Sequence, residues 1–204
     1  FIMICLERKR CPGRVLQQRY QLVAYATNVY LSYTAEPNEA LQLGSKAILL
    51  HKGEILQASD ISEIYRNPIN LTAAQILSDP PLNIFQGEIT SHELVIGEVQ
   101  RFPKTRILEQ LPINNYILAI RPSHVSLVPI SDDDLEISMR VNIAEISGSE
   151  TLIHTVGSNI NLLMNLSGVH DYSPDTKIKI YIPSHKLFVF NAAGALVKAP
   201  GANL

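Results

Sequence analysis

Six histidines and two cysteines have the widest chemical reach in this sequence. His51, His92, His124, His154, His170 and His185 are scattered, with no i, i+4 pair and no carboxylates at metal-ligand spacing, so no metal centre is expected. Cys5 and Cys11 make a single C-x5-C pair, too few thiolates for a structural zinc or a disulfide scaffold, and they fit a reducing compartment. A hydrolase needs a nucleophile, a base and an orienter within reach, and no spacing groups them here. Tyr172, Tyr181, Phe188 and Phe190 offer stacking faces, but only Lys177, Lys179 and Lys186 accompany them. With 17 Lys and Arg against 19 Asp and Glu the formal charge is -2, so nucleic acid is not an expected partner. Asn70-Leu71-Thr72 and Asn165-Leu166-Ser167 match the glycosylation pattern, and nothing else points to secretion.

The elements that must carry these side chains are readable from spacing. The 204 residues, 46% hydrophobic and 18% charged, suit a globular chain of one domain or two small ones. Apolar runs are short, so no membrane span is expected. The apolar stretch 1–6 precedes Arg8, Lys9 and Arg10, the reverse of a secretory signal, and a start at Phe1 reads as a piece of a longer chain. Val15, Leu16, Leu22 and Val23 predict a helix over 14–26, and 29–33 a buried strand. A helical turn over 38–43 should close at Gly44. Strands at 47–51 and 54–57 flank Lys52-Gly53 as a hairpin. A helix opening at Ser59 and Asp60, with Glu63 completing a capping box, should stop at Asn67-Pro68, and another follows over 71–77. Asp79-Pro80-Pro81 marks the strongest break.

Beyond it the pattern turns to strands. Leu135, Ile137, Met139, Val141 and Ile143 alternate with Glu136, Ser138, Arg140 and Asn142, a period of two. Further strands are expected at 85–90, 94–99, 116–120, 125–128, 151–155, 161–164, 177–182 and 188–190. Their regular spacing suggests a small barrel or sandwich, and a partly open barrel of the OB type would hide most edges.

Several segments then fall in a familiar order. Glu39-Ala40-Leu41, the run 49–57, Glu63-Ile64-Tyr65-Arg66-Asn67-Pro68 and Pro80-Pro81-Leu82-Asn83 resemble the importer ATPases of the ABC superfamily. The similar group is the sugar and glycerol-type subunits with a carboxy-terminal regulatory (TOBE) domain. Ile120-Arg121-Pro122-Ser123-His124-Val125 resembles that domain's R-P-E-H element, with Ser123 in place of Glu. Glu145-Ile146-Ser147-Gly148-Ser149-Glu150-Thr151 resembles its E-x-x-G-x-E-T element, and 187–196 its last strand pair. The resemblance implies an α+β chain: residues 1–80 as the end of a RecA-like α/β ATPase domain, and 81–204 as an OB-like regulatory β domain. The intact parent is then expected to bind ATP and Mg²⁺, to pair with a second ATPase subunit as homo- or heterodimer, and to dock on transmembrane permease subunits. Its place would be cytoplasmic, peripheral on the inner face of the cell membrane. Arg121, Pro122, His124, Glu145, Gly148 and Glu150 are the motif residues. Arg121-Pro122 should fix an extended corner and Gly148 a fold-back between strands. Glu145, Glu150 and His154 are alternatively candidates for a regulatory surface.

The machinery of hydrolysis is not legible. A phosphate cradle needs G-x-x-x-x-G-K-[ST], whose backbone N–H groups surround the phosphates. Gly44-Ser45-Lys46 is the nearest approach, but Ala47 replaces the Mg²⁺-holding hydroxyl and Glu39 stands in place of the first Gly. Leu166-Ser167-Gly168 mimics the start of the family's signature but lies too far downstream. The family's switch histidine aligns with Ala35, which offers neither proton nor hydrogen bond. No catalytic, cofactor-binding or metal residue is therefore assigned in this chain. The expected function is the C-terminal fragment of an importer's ATP-binding subunit, contributing dimerisation and regulation without ATP hydrolysis of its own. The alternative is a stand-alone OB-like module that binds a small oxyanion or another protein.

Overall fold

A computed structural model describes residues 2–8, 21–26, 29–44, 46–97, 99–104, 106–157 and 159–201. The chain divides into two compact units, Phe1–Asp79 and Pro80–Leu204, so the division falls within the Asp79-Pro80-Pro81 run.

Among the described residues the first unit shows a five-stranded sheet with three short helices. Strands β1 (Ile2–Arg8), β2 (Gln21–Ala26), β3 (Val29–Thr34), β4 (Lys46–His51) and β5 (Glu54–Asp60) lie in the order β2-β3-β1-β4-β5. Every ladder is antiparallel. The parallel order of a RecA-like remnant is therefore not what these strands display. Residues 21–26 are strand and not the helix that Leu22 and Val23 suggested. They pair with β3 from Gln21↔Tyr33 to Ala26↔Val29, and a pairing partner overrides a weak helical period. Val15 and Leu16 lie outside the described residues. The β4–β5 hairpin turns on Lys52 and Gly53, both at positive φ (52° and 85°), as a two-residue turn requires.

Helix α1 (Pro37–Leu43) starts with Pro37 in its first turn and stops at Gly44, whose φ of 62° is left-handed. Helix α2 (Ile61–Arg66) follows β5 directly. The expected capping box does not form: Asp60 makes no side-chain cap, and Glu63 instead accepts a hydrogen bond from Asn67 Nδ2 at 2.8 Å. Helix α3 (Leu71–Ile76) is capped by Asn70, whose Oδ1 accepts from Ala73 N at 2.9 Å. Ala40, Ala47, Leu49, Ile61, Ile64 and Ile76 form the core between helices and sheet.

The second unit is almost all strand. Strands β6 (Asn83–Ile89), β7 (Glu93–Ile96), β8 (Gln100–Pro103), β9 (Asn114–Ile120), β14 (Phe188–Phe190) and β15 (Leu196–Lys198) form a sheet ordered β15-β14-β9-β6-β7-β8. Strands β10 (Asp134–Ser147), β11 (Glu150–Gly157), β12 (Ile160–Ser167) and β13 (Lys177–Pro183) form a second, ordered β12-β11-β10-β13. Helix α4 (Arg106–Glu109) interrupts the β8–β9 connection. The expected strand at 125–128 is replaced by a 3-10 turn and an isolated bridge, Ser126↔Tyr181.

Both sheets feed one core, with Phe85, Leu94 and Leu118 from the first meeting Leu135, Ile137 and Ile180 from the second. Alternation along β10 holds from Leu135 to Val141 and then fails. A bulge between Val141 and Ile143 adds one residue, which turns Ile143 outward to 46% exposure instead of into the core. One buried side chain stitches the sheets together. Asn83 Nδ2 donates to Leu163 O at 2.8 Å and its Oδ1 accepts from Leu163 N at 2.6 Å, so the amide imitates a strand pair between β6 and β12.

Candidate functional site

The motif residues of the second unit gather in two places. At the first, β9 runs into Arg121, in extended conformation, and then into a 3-10 turn over Pro122–His124. His124 N donates to Arg121 O at 3.0 Å and Val125 N to Pro122 O at 3.3 Å. At the end of β13 the tripeptide Pro-Ser-His recurs as 183–185, leading into a second such turn, Ser184–Lys186. Proline's fixed φ launches both turns.

Arg121 is only 5% exposed, and its guanidinium carbon lies 4.8 Å from the centre of the Phe188 ring. Phe188 stacks in turn on Phe190 at 6.0 Å. Half-buried His124 is pushed down to about 4, chiefly by burial and then by the charges of Lys186, Arg121 and His185. It is a neutral imidazole at neutral pH, and its buried Nδ1 has no hydrogen-bond partner among the described residues; nor has Ser184 Oγ. Asp134 lies within reach of the charge of His185. Burial would raise its carboxyl, but the Ser131 hydroxyl, the Ile130 and Ser131 amides and the nearby His185 outweigh that and hold it below the usual range.

The second place is the β10–β11 hairpin tip. Gly148 sits at φ 61° and makes the fold-back. Glu145 Oε1 and His154 Nε2 stand 3.3 Å apart, at ion-pair distance without hydrogen-bond geometry. Glu150 Oε2 accepts from Asn165 Nδ2 at 3.0 Å. Fully buried Thr151 donates its hydroxyl to Gly168 O at 2.8 Å and accepts from His170 N at 3.0 Å. The element thus builds a turn and ties it to the chain leaving β12. Gly168, at φ 90°, follows the last residue of β12, and no helix comes after it until β13.

In the first unit, Ala35 is exposed just after β3. Its neighbour Thr34 donates to Glu39 Oε2 at 2.6 Å and accepts from Glu36 N at 2.9 Å, which ties the start of α1 to the strand. Gly44 ends α1 and Lys46 opens β4; Ser45 lies outside the described residues. Among the described residues, no three His, Cys, Asp or Glu side chains gather to hold a metal, and no helix is long and apolar enough to cross a membrane.

No family model matches the chain. It is similar to the sn-glycerol-3-phosphate import ATP-binding protein UgpC of Vibrio vulnificus, 30% identical over 146 residues, 71% of this chain and 38% of that protein. It is also similar to the xylose/arabinose import ATP-binding protein XacJ of Haloferax volcanii, 23% identical over 195 residues, 90% of this chain and 50% of that one. The chain is a homologue of sugar and glycerol-type ABC import ATP-binding proteins. An uncharacterized ABC transporter ATP-binding protein of Escherichia coli, YcjV, matches at 20% over 171 residues. The chain spans half or less of the length of these curated relatives.

In this ABC import homologue the motif residues fall at the turn after β9 and at the β10–β11 hairpin. Arg121, Pro122 and His124 are brought together; Glu145, Gly148 and Glu150 share the hairpin. Sequence reasoning missed His185 and Lys186 as charged neighbours of His124, although the repeated Pro-Ser-His was a visible signal. Nothing in the run Pro80-Pro81-Leu82-Asn83 signals the clamp that Asn83 makes on Leu163.

Proposed function

We propose that this chain works as part of the ATP-binding subunit of an ABC importer for sugars, glycerol or related solutes. Residues 1–80 correspond to the carboxy-terminal part of the ATPase domain, and 81–204 to an OB-like regulatory domain of the TOBE type. In this reading ATP and Mg²⁺ are held by other parts of a full-length subunit. The chain contributes dimerisation with a second ATPase subunit and regulation, beside transmembrane permease subunits at the inner face of the cell membrane. It hydrolyses no ATP alone.

The observation that carries the reading is the 30% identity over 146 residues to an import ATP-binding protein. Support also comes from the buried clamp of Asn83 and the turn at Arg121-Pro122, both in segments quoted for the family likeness. Ala35 supports the catalytic half of the proposal, because a methyl group cannot orient an attacking water. Purified chain incubated with Mg²⁺ and ATP should release no phosphate above a buffer blank, and sizing should show self-association. Turnover that persists after repeated purification would refute the catalytic statement; a strict monomer at high concentration would refute the dimerising role.

A further inference from the structure

A groove of 760 Å³ runs along the second unit between β6 and the turn that joins β11 to β12. Two polar ties bracket it. The Asn83–Leu163 clamp lies at one end, and at the other Asn159 Nδ2 donates to Gly97 O at 3.4 Å. Between them the sheets do not pair. Strand β6 bonds to β7 only from Gly87 to Ile89, and β12 is the edge of its sheet, so unpaired backbone N–H and C=O groups border the groove.

The lining is particular in its chemistry. Gln86, Glu88, Asn115, Asn159 and Asn161 supply its polar atoms, over a floor that includes buried Val95 and Ile160. The side chains of Gln86, Glu88 and Asn161 make no hydrogen bond or ion pair with another described residue, so their polar atoms are available to a ligand. Carboxamides both donate and accept, which matches hydroxyl groups that do the same. Among the described residues no Lys, Arg or His lines the groove, and the carboxylate of Glu88 opposes an anion. Phe85 is buried at 5% exposure and offers no open face for stacking a base. The volume lies in the range of about 300–1,000 Å³ usual for small-molecule sites.

We infer that this groove binds a small neutral polyhydroxylated molecule, a sugar or a glycerol-type polyol, through the amides of Asn115, Asn159 and Asn161 and the carboxylate of Glu88. The inference goes beyond the importer reading and stands on the lining alone. Its failure would leave that reading intact, because the test involves neither nucleotide nor partner.

The test is a titration of the full chain with glycerol, D-glucose and inorganic phosphate, followed by the side-chain amide signals of Asn115, Asn159 and Asn161 in a nitrogen–proton correlation spectrum. One or both polyols should shift these signals saturably, with affinity on the order of millimolar for so small a ligand. Glu88→Gln and Asn161→Ala, both at exposed positions, should leave the thermal melt unchanged and each weaken the polyol by about tenfold. Phosphate should move none of the three. Absence of a saturable shift with either polyol, equal shifts with phosphate, or polyol binding untouched in both variants would overturn the inference.

Discussion

The Asn83 clamp gives the sharpest test of how the second unit is held together. Asn83 is 5% exposed and makes two hydrogen bonds to the backbone of Leu163, at 2.8 and 2.6 Å. Asn83→Ala removes both and leaves the half-buried Leu163 N–H and C=O without that partner. Two net hydrogen bonds are worth about 2 kcal/mol, and the unpaired backbone groups add about 1–2 more. A loss of about 3–4 kcal/mol follows. At roughly 3 °C per kcal/mol for a unit of this size, the melting temperature should fall by about 10 °C. Asn83→Leu fills the space and still leaves Leu163 unpaired, so it should lose nearly as much as Asn83→Ala. Urea denaturation followed by circular dichroism reads both values. If Asn83→Leu matches the unmodified chain, the clamp contributes only volume and the reasoning is refuted.

Two further outcomes are expected. His124 sits at about 4 in the folded chain against 6.5 when unperturbed, so the unfolded chain binds more protons between those values. Stability should therefore be full above pH 6.5 and decline as the pH falls to about 4. At about 1.4 kcal/mol per pH unit the ceiling is near 3 kcal/mol, and solvent screening of a half-buried ring reduces it to about 1–2. Denaturation midpoints at pH 7 and pH 4.5 measure this, and His124→Gln should flatten the slope; an unchanged slope would count against the cluster. At Gly87 an added Cβ would meet Leu118 Cδ1 at 2.6 Å and Cγ at 3.0 Å inside the core. Gly87→Ala should cost about 1–2 kcal/mol by the same denaturation measurement, and a neutral or stabilising result would show that the core yields there.

Much of the fold was legible because its signals are local. Lys52-Gly53, Gly44 and the alternation from Leu135 to Val141 each report backbone demands within a few residues, and each element formed. The ABC import likeness was legible for the same reason, since short ordered motifs survive at low identity. Where a local signal competed with a pairing partner the reading failed. Residues 21–26 satisfied their backbone against β3, and the capping box at Asp60 gave way to Glu63 bonding Asn67.

The amino-acid sequence by itself determined where many of the strands and turns begin, which residues carry the family motifs, and the absence of a hydroxyl residue after Lys46. Only the tertiary structure decided what those motifs touch. It set Asn83 against Leu163, 80 residues away, and His124 against a second Pro-Ser-His turn. It turned Ile143 outward through one extra residue in a ladder. Periodicity records how a segment meets a face, whereas a contact between distant segments depends on closing the chain between them, which no local spacing encodes.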